Sequence, residues 1–233
     1  MVDIVATTTE AFSYNMDGKI AVVIDVLRAT SVMTIAIHNG AKTIRAVATP
    51  EEAFKLRSVM HPTPLLGGER HADFIKGFDI DNSPLNYTPE KVAGHDIIMT
   101  TTNGTQAIVA CQRAQKIYIA SLLNIEKTAE LLKQENSDIV IVCAGTEGKF
   151  SIEDALCAGL IANELYKNNC QLTDIAHALR LLSLSDRPRT IASNGEHFAR
   201  LKRKGYEADI DVCFAPTRDY AALICTDGVV TKA

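Results

Sequence analysis

The chain has 233 residues, 47% of them apolar, with 24 Lys and Arg against 28 Asp and Glu for a net charge of −4. That is enough apolar content for a sizeable core, and the acidic balance argues against nucleic acid or a membrane surface as partner. No apolar run approaches the roughly 20 residues that a bilayer-spanning helix needs.

In chain order, apolar runs and capping signals predict a strand near 20–26, a helix over 31–39, a strand at 43–47 and a helix over 50–60. A strand at 64–67, a helix near 89–93, a strand at 96–101 and a helix over 104–113 follow. Then come a strand at 116–120, a helix over 125–135, a strand at 138–143 and a helix over 151–167. Thr49-Pro50-Glu51-Glu52 reads as a capping box with Pro at the first helical position, and Ser151-Ile152-Glu153-Asp154 as a weaker version of it. From Leu172 the pattern turns helical through LTDIAHALRLLSL and HFARLKRKG, with a short strand near Asp209 to Phe214. RLKRK (Arg200 to Lys204) reads as the solvated face of a helix. Alternation of strand and helix predicts an α/β fold, a mostly parallel sheet with helices on both faces. Residues 1–170 are expected to form the core that carries the ligand loops. Residues 171–233 form a mainly helical part that either covers the sheet or makes a small second lobe.

Six cysteines contain no CxxC pair and several sit in apolar runs, which predicts reduced thiols. MVDIVATTTEAF has neither the basic start nor the long apolar stretch of a secretory signal, so a cytoplasmic location is expected. A homo-oligomer is compatible with this composition.

Four apolar runs end abruptly in segments of Gly, hydroxyl, amide and acidic residues. AVVI leads into DVLRATS, PLL into GGER, DIIM into TTTNGTQA, and DIVIV into CAGTEGKFSIEDA. If the runs are parallel strands, these segments gather at one carboxyl edge, where open α/β sheets bind ligands and helix N-termini favour anions. A small phosphate ester is the natural occupant. Asp25 could hold a divalent metal, attack phosphorus, or merely cap the next turn, while Arg28 could pair with phosphate oxygens. In GGER, Glu69 could ligate a metal and Arg70 hold an anion, or the pair could be a surface turn. GFDIDNSP (Gly77 to Pro84) offers oxygen ligands or ordinary turn chemistry. CAGTEGKFS fails the P-loop pattern at both ends, because Cys143 replaces the first Gly and Phe150 the Ser or Thr. The six histidines form no HxH, HxxxH or HExxH pair, which argues against zinc hydrolysis.

AVVIDVLRATS, GGER, GFDIDNSP, TTTNGT and AGTEGKFSIEDALCAG, in this order and spacing, resemble the 2-phosphosulfolactate phosphatase family from about Val22 to Gly159. The resemblance implies a Mg²⁺-dependent acid phosphatase that converts 2-phospho-3-sulfolactate to 3-sulfolactate and phosphate, a step of coenzyme M biosynthesis in methanogens. It places the site at Asp25, Arg28, Glu69 and Arg70, expected to be catalytic with Asp25 and Glu69 on the metal. Substrate contacts are expected from Thr30, Ser31, Asn82, Ser83, Thr101, Thr102, Asn103, Gly104, Thr105, Gly145, Thr146, Glu153 and Asp154. Two other enzyme readings were weighed. An isochorismatase-like cysteine hydrolase would use Cys143 with Lys149. A halo-acid-dehalogenase-type phosphatase would need an acid at position 27, which is Leu27. The non-enzyme reading is a binder of a small sulfonated or phosphorylated metabolite.

Overall fold

A computed structural model describes residues 1–215 and 219–233. It opens with β1 (Val2–Val5), α1 (Thr8–Ala11), β2 (Ile20–Ile24), α2 (Ala29–His38), β3 (Thr43–Ala46), α3 (Pro50–Val59) and β4 (Leu65–Gly68). A 3-10 turn at Pro84–Asn86 precedes α4 (Pro89–Val92), β5 (Asp96–Thr100), α5 (Gly104–Ala110), β6 (Lys116–Ala120), α6 (Ile125–Leu132) and β7 (Ile139–Cys143). Then come α7 (Ile152–Lys167), α8 (Asp174–Ser183), α9 (Pro188–Ala192), α10 (Glu196–Arg203), α11 (Glu207–Cys213) and a final pair, β8 (Leu223–Thr226) and β9 (Val229–Lys232).

The nine strands form one sheet in the order β1-β7-β2-β6-β8-β9-β3-β5-β4. β1, β7, β2 and β6 are mutually parallel, as are β3, β5 and β4. The β8–β9 hairpin is wedged between the two sets and pairs antiparallel on both sides. Three successive reversals therefore set the two parallel halves in opposite senses along the ladder. The expectation of one shared carboxyl edge is corrected accordingly.

The loops meet all the same, because the sheet curls. Every strand adds a side chain to one apolar cluster that surrounds α2 and α5, including Val23, Val142, Ile119, Leu223, Val230, Ile44 and Met99. Strand twist of some 20–25° per step accumulates across the sheet and brings the two halves around these helices. Each fully buried aliphatic side chain there contributes roughly 1.5–3 kcal/mol relative to exposure. The other face of the β1/β7/β2/β6 half packs against α7 and α8 and against Ala192, Phe198, Leu201, Ile210 and Cys213 of α9–α11. α3 covers the β3/β5/β4 half through Ala53, Leu66, Phe78 and Ile98.

Local chemistry accounts for the ends. Thr49 Oγ1 accepts from Glu52 N at 3.2 Å, while the Glu52 carboxylate accepts from Ala48 N at 3.0 Å. The weaker box at Ser151 does not form: Ser151 makes no cap bond, and Asp154 turns inward instead. The strand expected near Asp209 to Phe214 is the helix α11. Asp209, Ile210 and Cys213 share its buried face, and that helical spacing overrides the apparent alternation of DIDVCF. The hairpin turn is Asp227-Gly228, with φ of +51° and +75°, the left-handed pair that a two-residue turn requires.

Candidate active site

An open cleft of about 380 Å³, counted out to its mouth, lies where the β2, β4, β5 and β7 loops meet α10. Its floor is built around Asp25, immediately after β2. The Asp25 carboxylate is buried and accepts from Ala29 N at 3.2 Å. Thr30 Oγ1 donates to Asp25 O at 2.8 Å and accepts from Asp25 N at 3.0 Å, fixing the strand-to-helix turn. Ser31 Oγ donates to Val26 O at 2.8 Å in the same way. Gly104, at the start of α5, is packed so tightly on this turn that an added Cβ would lie 2.7 Å from Asp25 Oδ2 and 2.5 Å from Ala29 Cβ. The glycine thus lets two strand ends from opposite sheet halves share one site.

Beneath Asp25 lies a second buried acid. Asp154 accepts from Val26 N at 2.8 Å and Gly145 N at 3.0 Å, tying the β2 and β7 loops together. Glu153 beside it is buried, and neither carboxylate oxygen has a partner among the described residues. Burial, reinforced by the Glu69 and Glu153 carboxylates, pushes the Asp25 carboxyl up to about 7, although Ala29 N–H and Arg28 pull the other way. Burial, then the Asp25 and Glu153 charges, hold Asp154 well above the usual carboxylate range. Among the described residues neither Asp25 nor Asp154 forms a salt bridge, and Arg28 is the cation that acts on Asp25.

Arg28 supplies the fixed positive charge. It is 3% exposed, forms an ion pair with Asp209 of α11, and stacks on Tyr206 at 4.1 Å from the ring centroid. Ser83 Oγ donates to the other Asp209 oxygen at 2.7 Å. Asn82 lines the cleft with a buried Oδ1 that has no partner among the described residues.

The rim is looser. Glu147, held at φ +52° in the β7 loop, accepts from Arg200 of α10 at 2.8 Å and approaches His71 at 3.5 Å. Its backbone N–H donates to Asn103 Oδ1 at 3.0 Å. Arg200 also donates to His71 O, as does Lys204 at 2.9 Å. His197 Nε2 lies 2.8 Å from Leu27 O, and its buried Nδ1 has no partner among the described residues.

Of the residues expected at the site, Asp25, Arg28, Glu69, Asn82, Thr102, Asn103 and Thr146 line this cleft. Others support it from behind. Thr101 and Thr105 bond mutually through hydroxyl and backbone groups at 3.0 to 3.1 Å, and Ser83, Thr30, Ser31, Gly104, Gly145 and Asp154 act as described above. Glu153 lines an adjoining pocket. Arg70 points elsewhere: its guanidinium donates to Glu69 O, Ala48 O and Thr100 Oγ1 at 2.6 to 2.8 Å, which leaves it bracing the β4–β5 edge. Glu69 accepts from Thr102 N at 2.7 Å, from Thr102 Oγ1 at 3.1 Å and from Ala72 N, so its carboxylate orders that turn while lining the cleft. Cys143 is fully buried in the core, and burial raises its thiol well above the ordinary value. That environment disfavours a thiolate nucleophile.

Sequence reading missed Asp209, Tyr206, His71, Glu147, His197 and Arg200. Arg200 and Lys204, taken for a solvated face, turn back onto the 71–73 turn. The signal within reach was the density of charge in TEGK, inside the loop after β7, and in RLKRK at the end of α10.

A sequence profile described as 2-phosphosulpholactate phosphatase matches residues 5–225. A protein of Clostridium perfringens (strain 13 / Type A) named as a probable 2-phosphosulfolactate phosphatase is 44% identical, over 91% of this chain and 88% of its own. Similarly named proteins of Caldanaerobacter subterraneus subsp. tengcongensis and Clostridium acetobutylicum are 45% identical over 85% of this chain and 84% of theirs, and 40% over 91% and 92%.

Proposed function

Because the chain belongs to the 2-phosphosulpholactate phosphatase family, we propose that it hydrolyses 2-phospho-3-sulfolactate to 3-sulfolactate and phosphate in this cleft, with Mg²⁺ as cofactor. The observation that carries the site assignment is the juxtaposition of a buried acid, Asp25, with a locked guanidinium, Arg28, in one open cleft. A transferring phosphoryl group needs both an anchored cation and neutralisation of its oxygens.

The donors suit Mg²⁺. Asp25 and the unpartnered Asn82 Oδ1 are hard oxygen ligands in the same cleft, and the Glu153 charge next to Asp25 adds negative potential. Among the described residues no group of three His, Cys, Asp or Glu side chains has metal-binding geometry, so the ion would rest on one or two carboxylates, the usual habit of Mg²⁺. Glu69, which lines the same cleft while ordering its turn, would be the second carboxylate on the ion. When bound, the ion supplies Lewis-acid polarisation of the phosphoryl oxygens.

Arg28 would hold phosphoryl oxygens through the guanidinium edge not paired with Asp209, and the Asp209 pair and Tyr206 stack keep it from following the ligand. Thr102 and Asn103 are placed to orient the ester from the β5 loop. His197 lines the cleft and is held by Leu27 O, so it would shape the site from the α10 side. We place the enzyme in a reducing, cytoplasmic compartment: all six cysteines are free. Among the described residues no helix is long and apolar enough to cross a membrane.

The test is phosphate release from 2-phospho-3-sulfolactate after treatment with EDTA and after return of Mg²⁺. Activity abolished and then restored is the expected result. Full activity in EDTA removes the metal, and no release under any metal condition removes the substrate.

A further inference from the structure

The rim of the cleft carries an arginine whose present partner is replaceable. Arg200 lines both the cleft and the adjoining pocket, as do Thr146, Glu147 and His197, so it stands on the partition between them. Its guanidinium pairs with Glu147, but the side chains are 27% and 49% exposed, unlike the Arg28–Asp209 pair at 3% and 4%. Glu147 is delivered to that point by a closed turn in which Thr146 and Lys149 exchange backbone hydrogen bonds at 2.9 and 3.0 Å. Arg200 keeps it ionised. A carboxylate on a fixed turn, facing a half-open arginine at the mouth of an anion cleft, is placed as a ligand carboxylate or sulfonate would be.

We propose that Arg200 recognises the anionic tail of the substrate, the carboxylate or sulfonate beyond the phosphoryl group, and that Glu147 fills this subsite in the free enzyme. The proposal rests on the phosphatase reading above for the identity of the tail. Binding exchanges one carboxylate–guanidinium pair for another, so the cost of freeing Arg200 is small while an anion is present. Ligands without a tail anion would leave Glu147 in place. The device therefore selects for substrates with charge at both ends, because only these recover the pair that is broken.

Calorimetric binding of 3-sulfolactate to the full chain tests this without turnover. Arg200→Met should weaken the Kd at least tenfold, whereas Glu147→Gln, which removes the competing charge, should tighten it about two- to fivefold. Lactate and isethionate, each carrying one of the two tail anions, identify the group held as the one whose affinity falls in Arg200→Met. Opposite signs for the two variants distinguish a competed subsite from a structural latch, since loss of a latch weakens binding in both. Equal weakening, or wild-type affinity in Arg200→Met, overturns the proposal. A protein that binds sulfolactate in this pattern but releases no phosphate refutes the phosphatase reading and leaves the subsite standing.

Discussion

Floor and rim of the same cleft hold charge by opposite means. On the floor, Arg28 and Asp209 are buried against Tyr206 and Ser83, and the buried Asp25 and Asp154 carboxylates accept from one and two backbone N–H groups. On the rim, Glu147, Arg200, His71 and Lys204 form exposed pairs. Exposed pairs are worth about 0–1 kcal/mol, whereas removing one partner from a buried pair costs about 3–5 kcal/mol. Under the proposed function the floor would stay put beneath a reacting phosphoryl group, while the rim would exchange partners with a ligand.

The largest expected break in this contrast comes at Asp25. Asp25→Asn keeps the shape and can still accept from Ala29 N, but loses the charge, so kcat should fall by about three orders of magnitude or more. Thermal stability at pH 7.5 should not fall, because a desolvated charge is removed. Activity within tenfold of wild type would return Asp25 to a capping role.

Asp209→Ala strands the Arg28 guanidinium and should cost about 3–5 kcal/mol in denaturant unfolding, against about 1 kcal/mol or less for Glu147→Ala. Equal costs would erase the distinction between floor and rim.

The pH response follows from the floor. The Asp25 carboxyl titrates near 7 in the folded chain and near 3.8 when unfolded, so the folded state binds more protons between these values. Asp25 should therefore contribute a loss of stability to metal-free protein as pH rises from about 4 to 7, and no further loss above that. Asp25→Asn should remove that contribution, so wild type minus variant stability should fall across this range in chemical denaturation at several pH values.

The smallest effect belongs to the core next to the floor. Cys143→Ala should keep most activity and lose about 1 kcal/mol, as a packing thiol does. Inactivation of the folded variant would revive a thiol nucleophile.

Elements with strong local signals were legible before the structure. Ile20–Ile24, Pro50–Val59 and Ile139–Cys143 sit within two residues of their expected limits, because apolar period and capping residues mark them directly. The strand Val2–Val5 was missed: VDIV has a single polar break and no Gly or Pro turn signal to bound it. The Leu223–Lys232 hairpin was missed although Asp227-Gly228 is a strong turn signal, and with it went the reversal that sets the two sheet halves in opposite senses. At the site, loops following strands exposed Asp25, Arg28 and Asn82. Asp209 and Arg200 come from helices near the C-terminus, and no local pattern announces a contact across 181 residues. Ser151 to Asp154 shows the converse. A capping box that fails to close marks acids diverted to the site, visible only once the β2 and β7 loops are side by side.

Under the proposed function a divalent cation would complete the Asp25 acid cluster. Thermal unfolding of wild type and Asp25→Asn at pH 7.5, with and without millimolar Mg²⁺, tests it most directly. The account predicts a Mg²⁺-dependent rise in Tm for wild type that is absent in Asp25→Asn; the same rise in both proteins would contradict it.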